Sequence, residues 1–373
     1  MNRRKKQASP GVESLESLAL MSTLPVLGGI GQVHAAAVST TSPTTGLGSV
    51  GSVSVTDALA IQQDSSGGFL EQYISQIEAT YGRRANVKQF AQAVIADHQT
   101  TNFDLQQTAG ASGVSLPVGI ALPTDVQAAQ KVLAAVRGGN VDQVYLRTMR
   151  QINGQDVAND QQLTTQTQNA GVRAYAQETL AYDQNHLQGA QQLLGRPRST
   201  YSPTIPTTSI NSPPPTSTSL ASASDTQALQ QDISGGYLEQ FISEIETQRG
   251  NRTDVQQYAQ TVVGDHQVTN FDLLQTGRAV SVPLPAGITQ ASDIQDARRV
   301  LAAVRRGNLD QVYLQVMSRI NGVDVANDQQ LVAQTQNTAI RSYAQETLSY
   351  DMMHLQGAQQ LLASRSDTFT LGG

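Results

Sequence analysis

The chain has 373 residues and a formal net charge of −6, with 39% hydrophobic and only 5% aromatic residues, no Trp and no Cys. That length suits two domains of ordinary size. The lack of Cys excludes disulfides and thiolate metal sites, and the mild, dispersed charge argues against nucleic acid as a partner.

Residues 1–37 are expected to be a signal or export segment. Arg3, Arg4, Lys5 and Lys6 form a basic start, Leu18–Val33 is mostly apolar, and Ala35-Ala36-Ala37 offers a small-residue cleavage site. Ser22, Thr23, Pro25 and several Gly interrupt the apolar part, so no transmembrane helix is expected in the mature chain. Such a leader is expected to carry the chain out of the cytoplasm.

Residues 38–56 are a Ser/Thr/Gly/Val spacer, and residues 196–224 a second one rich in Pro, Ser and Thr. Proline favours extended backbone, so the second spacer is expected to hold its neighbours apart. Residues 57–195 and 225–363 repeat one another without a gap at a constant offset of 168, and 364–373 is a tail. A repeat this long is a duplicated domain, not a solenoid unit. Replacements such as Ile95/Val263, Phe90/Tyr258 and Val172/Ile340 keep apolar character, as core positions would.

Each copy reads as helices throughout. In copy 1 the first is marked by Phe69, Leu70, Tyr73, Ile74, Ile77 and Tyr81, the second by Val87, Phe90, Val94, His98 and Leu105. A loop, GVSLPVGIALP, leads to a short helix that Pro123 starts and Gly138-Gly139 closes. Asn140 is placed to cap a third long helix through Tyr145, Met149, Ile152 and Leu163, and a fourth begins near Asn169. No stretch alternates polar and apolar over a strand's length. The expected fold is all-α: two tandem four-helix bundles, each with an extra short helix.

The order Glu71, then VKQFAQAVIADHQTTNFDL (87–105), a Leu-Pro loop, VLAAVRGGNVDQVYL (132–146) and His186-Leu187 resembles the domain-of-unknown-function 4142 family. The resemblance spans both copies. It implies ferritin-like bundles and an exported protein in the periplasm or cell envelope of a bacterium, and it implies no activity. Many members carry a His where Asn153 and Asn321 stand here. GVESLESLALMS (11–22) also resembles the LEPRxLL-type motif of exported bacterial proteins, with Leu18 at a position usually held by Arg.

Polar residues fall on or near the inward stripes: His98, Asp156, Asp160, Asp183 and His186, with Glu71 and Asp97 at stripe edges. Copy 2 repeats them as His266, Asp324, Asp328, Asp351, His354, Glu239 and Asp265. Buried carboxylates need partners, and three readings compete. The groups pair with each other and with Tyr hydroxyls such as Tyr145 or Tyr182. Alternatively, Asn153-Gly154 breaks the third helix and Asp156 caps the next segment at a surface. In the third, they hold a metal. Di-iron bundles use Glu-x-x-His on two helices, whereas here only Asp183-x-x-His186 has that spacing and Ile95 cannot ligate. What remains is a mononuclear site for Fe, Mn or Zn made of His98, Asp160, Asp183 and His186, and in copy 2 His266, Asp328, Asp351 and His354.

No phosphate-binding loop or nucleophile elbow is present, and no catalytic residues are assigned. The leading expectation is an exported envelope protein acting as a binding or structural helical module without a cofactor. Its Gln-rich faces would be solvated, or would meet an envelope partner or polar ligand such as glycan. The rival is a metal-binding protein with a redox or storage role.

Overall fold

The computed structural model describes residues 53–195 and 221–364. The expectations for the export segment, most of both spacers and the tail lie outside these residues. Copy 1 comprises α1 (Val55–Tyr81), α2 (Ala85–Ser112), α3 (Pro123–Gly138), α4 (Val141–Gln166) and α5 (Ala170–Gly195). Copy 2 repeats it as α6 (Ala223–Arg249), α7 (Thr253–Ala279), α8 (Ala291–Arg306), α9 (Leu309–Gln334) and α10 (Thr338–Ala363). Among the described residues there is no strand, and no helix is long and apolar enough to cross a membrane.

Short connections make α1–α2 and α4–α5 antiparallel hairpins, and the two hairpins close on each other through α1–α4 and α2–α5 contacts. The short α3 lies across α1 and α4. Local chemistry fixes the ends. Ser54 and Asp57 form a capping box at the start of α1. Pro123 opens α3 and left-handed Gly139 closes it. The side chain of Asn169 accepts from the N–H groups of Gly171 and Val172 at 2.9 and 3.0 Å, which caps α5. Asn140 stands at the cap position of α4, but its side chain makes no capping hydrogen bond.

The third long helix does not break. α4 runs unbroken through Asn153-Gly154 because Asn153 is fully buried and its amide donates to Met149 O at 2.9 Å and to Glu71 Oε2 at 3.1 Å. Asp156 is therefore inside the bundle and caps nothing, which corrects the second sequence reading.

The bundles are not held apart either. One apolar core runs through both copies, from Phe69, Tyr73 and Ile74 to Leu238, Phe241 and Ile242. The contact between copies obeys an approximate two-fold. Tyr73 meets its own equivalent, Phe241, with ring centroids 5.5 Å apart, and Phe103 meets Phe271 at 4.9 Å. Hydrogen bonds come in reciprocal pairs: Gln99 to Pro285 O and Gln267 to Pro117 O, Arg137 to Val304 O and Arg305 to Val136 O. The apolar substitutions between copies were legible as core. That part of this core lies between the bundles was not.

Candidate metal centre

Glu71 is the hub of the inner polar cluster, though its helical angle put it at a stripe edge. It is 1% exposed. Its Oε2 lies 3.1 Å from His98 Nε2 and 3.8 Å from His186 Nδ1. The ring centroids of His98 and His186 are 5.4 Å apart. Three helices thus bring one donor atom each within 4.8 Å of one another, and Glu239, His266 and His354 do the same in copy 2.

Adjacent residues on α2 serve this centre differently, because neighbours on a helix point about 100° apart. His98 faces Glu71, and its Nδ1 rests 3.3 Å from Thr101 Oγ1. Asp97 turns to the other side and meets His186 Nε2 at 2.9 Å. An ionised carboxylate only accepts, so the Asp97 contact puts a proton on Nε2 of His186. In the neutral ring Nδ1 then carries a bare lone pair. That atom is buried without a hydrogen-bond partner and faces the Glu71 carboxylate. Two lone pairs meeting in a buried site need a proton, a donating water or a cation between them. In copy 2 His354 Nε2 meets Asp265 at 2.9 Å and Nδ1 has no partner, with a Glu239 oxygen within 4.8 Å of a His354 ring nitrogen.

The donor set fits a metal. Bonds of about 2.1 Å in tetrahedral or octahedral geometry hold donors roughly 3.0–3.4 Å apart, close to the 3.1 and 3.8 Å found here. Two imidazoles and a carboxylate suit Zn, Mn or Fe. Asp97 behind His186 and Asn153 behind Glu71 are the outer partners that orient such ligands. Burial alone pushes the Glu71 carboxyl up. His98, then His186 and Asn153, outweigh it and hold Glu71 below the ordinary value.

The structure divides the expected site residues. His98 and His186 come together, and so do His266 and His354. Asp160 and Asp183 instead meet each other, with Thr179 beside Asp160. In copy 2 Asp328 meets Asp351, and Thr347 donates to Asp328 Oδ2 at 2.6 Å. These Asp pairs line a small polar cavity next to the His–Glu centre, together with Asp64 and Asp156 in copy 1 and Asp232 and Asp324 in copy 2. Burial, reinforced by Asp160, holds Asp64 well above the usual carboxylate range, and burial, reinforced by Asp156 and then Asp160, does the same to Asp183. Burial moves Asp160 to about 7 and Asp328 to about 6. The Tyr145 hydroxyl finds Ser75 Oγ at 2.8 Å.

Sequence reasoning passed over Asp64 entirely. It precedes Glu71 by seven residues, two helical turns, and so shares its face; that spacing was the available signal.

Fold and site together define a class: tandem all-α bundles, each built around a buried His–carboxylate core. The family described as "Domain of unknown function (DUF4142)" matches residues 42–193 and 211–361, and the chain belongs to it. Neither the curated proteins nor the solved structures include a match to the chain.

Proposed function

We propose that the protein is an exported envelope protein whose two bundles each hold one transition-metal ion, between Glu71, His98 and His186 and between Glu239, His266 and His354. The observation that carries this is the Asp97–His186–Glu71 line. Asp97 fixes the tautomer, and the lone pair left on Nδ1 is aimed at a carboxylate oxygen 3.8 Å away. An ion there would gain three protein donors and keep an open position toward the cavity that Glu71 and His98 line. A redox or storage role suits such a centre. Export rests on the basic start and the small-residue site at 35–37.

The second reading is a binding or structural module, in which His186 is an imidazolium between Asp97 and Glu71 and the cluster is closed by protons. It is favoured by the direct 3.1 Å approach of His98 to Glu71.

Elemental analysis of the full-length chain, purified without chelator, separates the two. The metal reading expects one Fe, Mn or Zn per bundle and a melting temperature that falls with chelator, since an ion stabilises only the state that binds it. His186→Ala with His354→Ala should remove the metal and the chelator response together. Metal-free protein that takes up none of these ions would leave the module reading.

A further inference from the structure

Beside the His–Glu centre stands a second set of donors that it does not use. Asp64 from α1, Asp156 and Asp160 from α4 and Asp183 from α5 converge on one cavity with Tyr175 and Thr179. No Lys or Arg lines it, and its free space is about that of a water or a bare ion. The side chain of Asp160 is 2% exposed, and its Oδ2 has no hydrogen-bond partner. Asp64 Oδ2 is likewise buried without one. Copy 2 assembles the same basin from Asp232, Asp324, Asp328, Asp351, Tyr343 and Thr347, again with a partnerless oxygen on Asp232.

Acidic groups alone would not make a site, because carboxyls can share protons, as Asp160 and Asp183 are placed to do. The partnerless oxygens are different. In both copies the oxygen from the first helix (Asp64 Oδ2, Asp232 Oδ2) is buried without a donor although hydroxyls stand in the same wall, whereas the Asp160 oxygen is left over in copy 1 alone, Asp328 Oδ2 in copy 2 accepting from Thr347 at 2.6 Å. Hydrogen bonding within the cluster has left them over, and an acceptor in that position is answered by a cation or by a donating water.

We propose that this basin is a second cation site, with oxygen ligands only, in which Asp64, Asp160 and Asp183 hold a hard divalent ion of the Mn²⁺ or Mg²⁺ class. Carboxylate, hydroxyl and water oxygens suit these ions, whereas imidazole in the neighbouring centre suits Zn. The small cavity favours Mn²⁺ or Mg²⁺ over Ca²⁺, which takes more ligands at longer distances. The site shares no ligand with the His–Glu centre, although Glu71 and His98 line the same cavity, and loss of one set of ligands leaves the other set in place.

The test uses the full-length chain, stripped of metal, loaded with Zn²⁺, exchanged into MnCl₂ and desalted before elemental analysis and electron paramagnetic resonance. The expected result is one Zn and one Mn per bundle. Asp160→Asn with Asp183→Asn, combined with Asp328→Asn and Asp351→Asn, should abolish Mn and leave Zn in place. His98→Gln with His266→Gln should do the reverse. Zinc-loaded wild type that takes up no Mn overturns the proposal whatever the variants do, so a variant that fails to fold does not leave it open. So does Mn uptake that the four Asn changes leave intact. Mn uptake lost with those changes, in a chain that takes no Zn, would sustain this site and defeat the His–Glu centre.

Discussion

At the residue scale, the His–Glu centre depends on groups that a hydrophobic stripe cannot reveal. Periodicity gives the angle of a side chain about its helix, and by that measure His98 and His186 pointed inward, as they do. It does not give reach. Glu71 lies off the stripe, yet its longer side chain carries a carboxylate to both imidazoles, while Asp160 and Asp183, on the stripe, stop short and meet each other. Asp97 was legible only as an edge residue, and its place behind His186 depends on how α2 and α5 pack. Its role can be tested without touching a ligand. Asp97→Ala with Asp265→Ala removes the acceptor that fixes the tautomer, and such outer-partner changes weaken metal binding about 10–100-fold. Competition with a chromogenic chelator should show that loss with the helical content unchanged. Unaltered affinity would mean that Asp97 does not orient the ring.

At the element scale, the turn joining α1 to α2 is tied by two acids. Asp142, at the start of α4, accepts from the backbone N–H groups of Arg83 and Arg84 at 2.9 and 3.0 Å. Glu78, in the last turn of α1, faces that carboxylate. Burial first, then Asp142, pushes Glu78 up to about 9, against the weaker pull of Lys88 and Arg84. Glu246 against Asp310 repeats this in copy 2, also at about 9. A carboxyl whose folded value is raised favours the fold while protonated, and that stability is lost as pH rises through the window from about 4.5 to about 9. Thermal melts should therefore show a lower melting temperature near pH 9 than near pH 6. Glu78→Gln with Glu246→Gln should reduce the difference, because Gln stays neutral, and the raised carboxyls of the inner cluster supply what remains. An equal slope in that variant would place the pH dependence elsewhere. The helices themselves were readable from period and caps. Asn153-Gly154 was ambiguous in sequence because Gly weakens a helix by about 1 kcal/mol, and only the partner helix, through Glu71, decides that α4 continues.

At the scale of the whole molecule, duplication has produced an internal pseudo-dimer. The duplication and fold class were plain in the sequence, but the docking of the copies was not. An apolar residue that meets its own bundle and one that meets the other copy have the same period and chemistry, so Phe69 and Tyr73 read simply as core. In the structure they belong to an apolar core that runs through both copies, and the approximate two-fold makes each contact count twice, as in an isologous dimer. The peptide connection between copies should then be dispensable once the chain has folded. A protease site placed within 196–220 and fully cut should leave two fragments that co-elute at the size of the intact protein and separate only in denaturant. Tyr73→Ala with Phe241→Ala removes an aromatic pair from the contact, and truncations of this size in a packed core cost about 3–5 kcal/mol each. In the cut protein that change should release the fragments at micromolar concentration, and in the uncut chain it should lower the melting temperature without separating anything. Fragments of the cut wild type that part without denaturant would show that the shared core is too weak to hold the copies together.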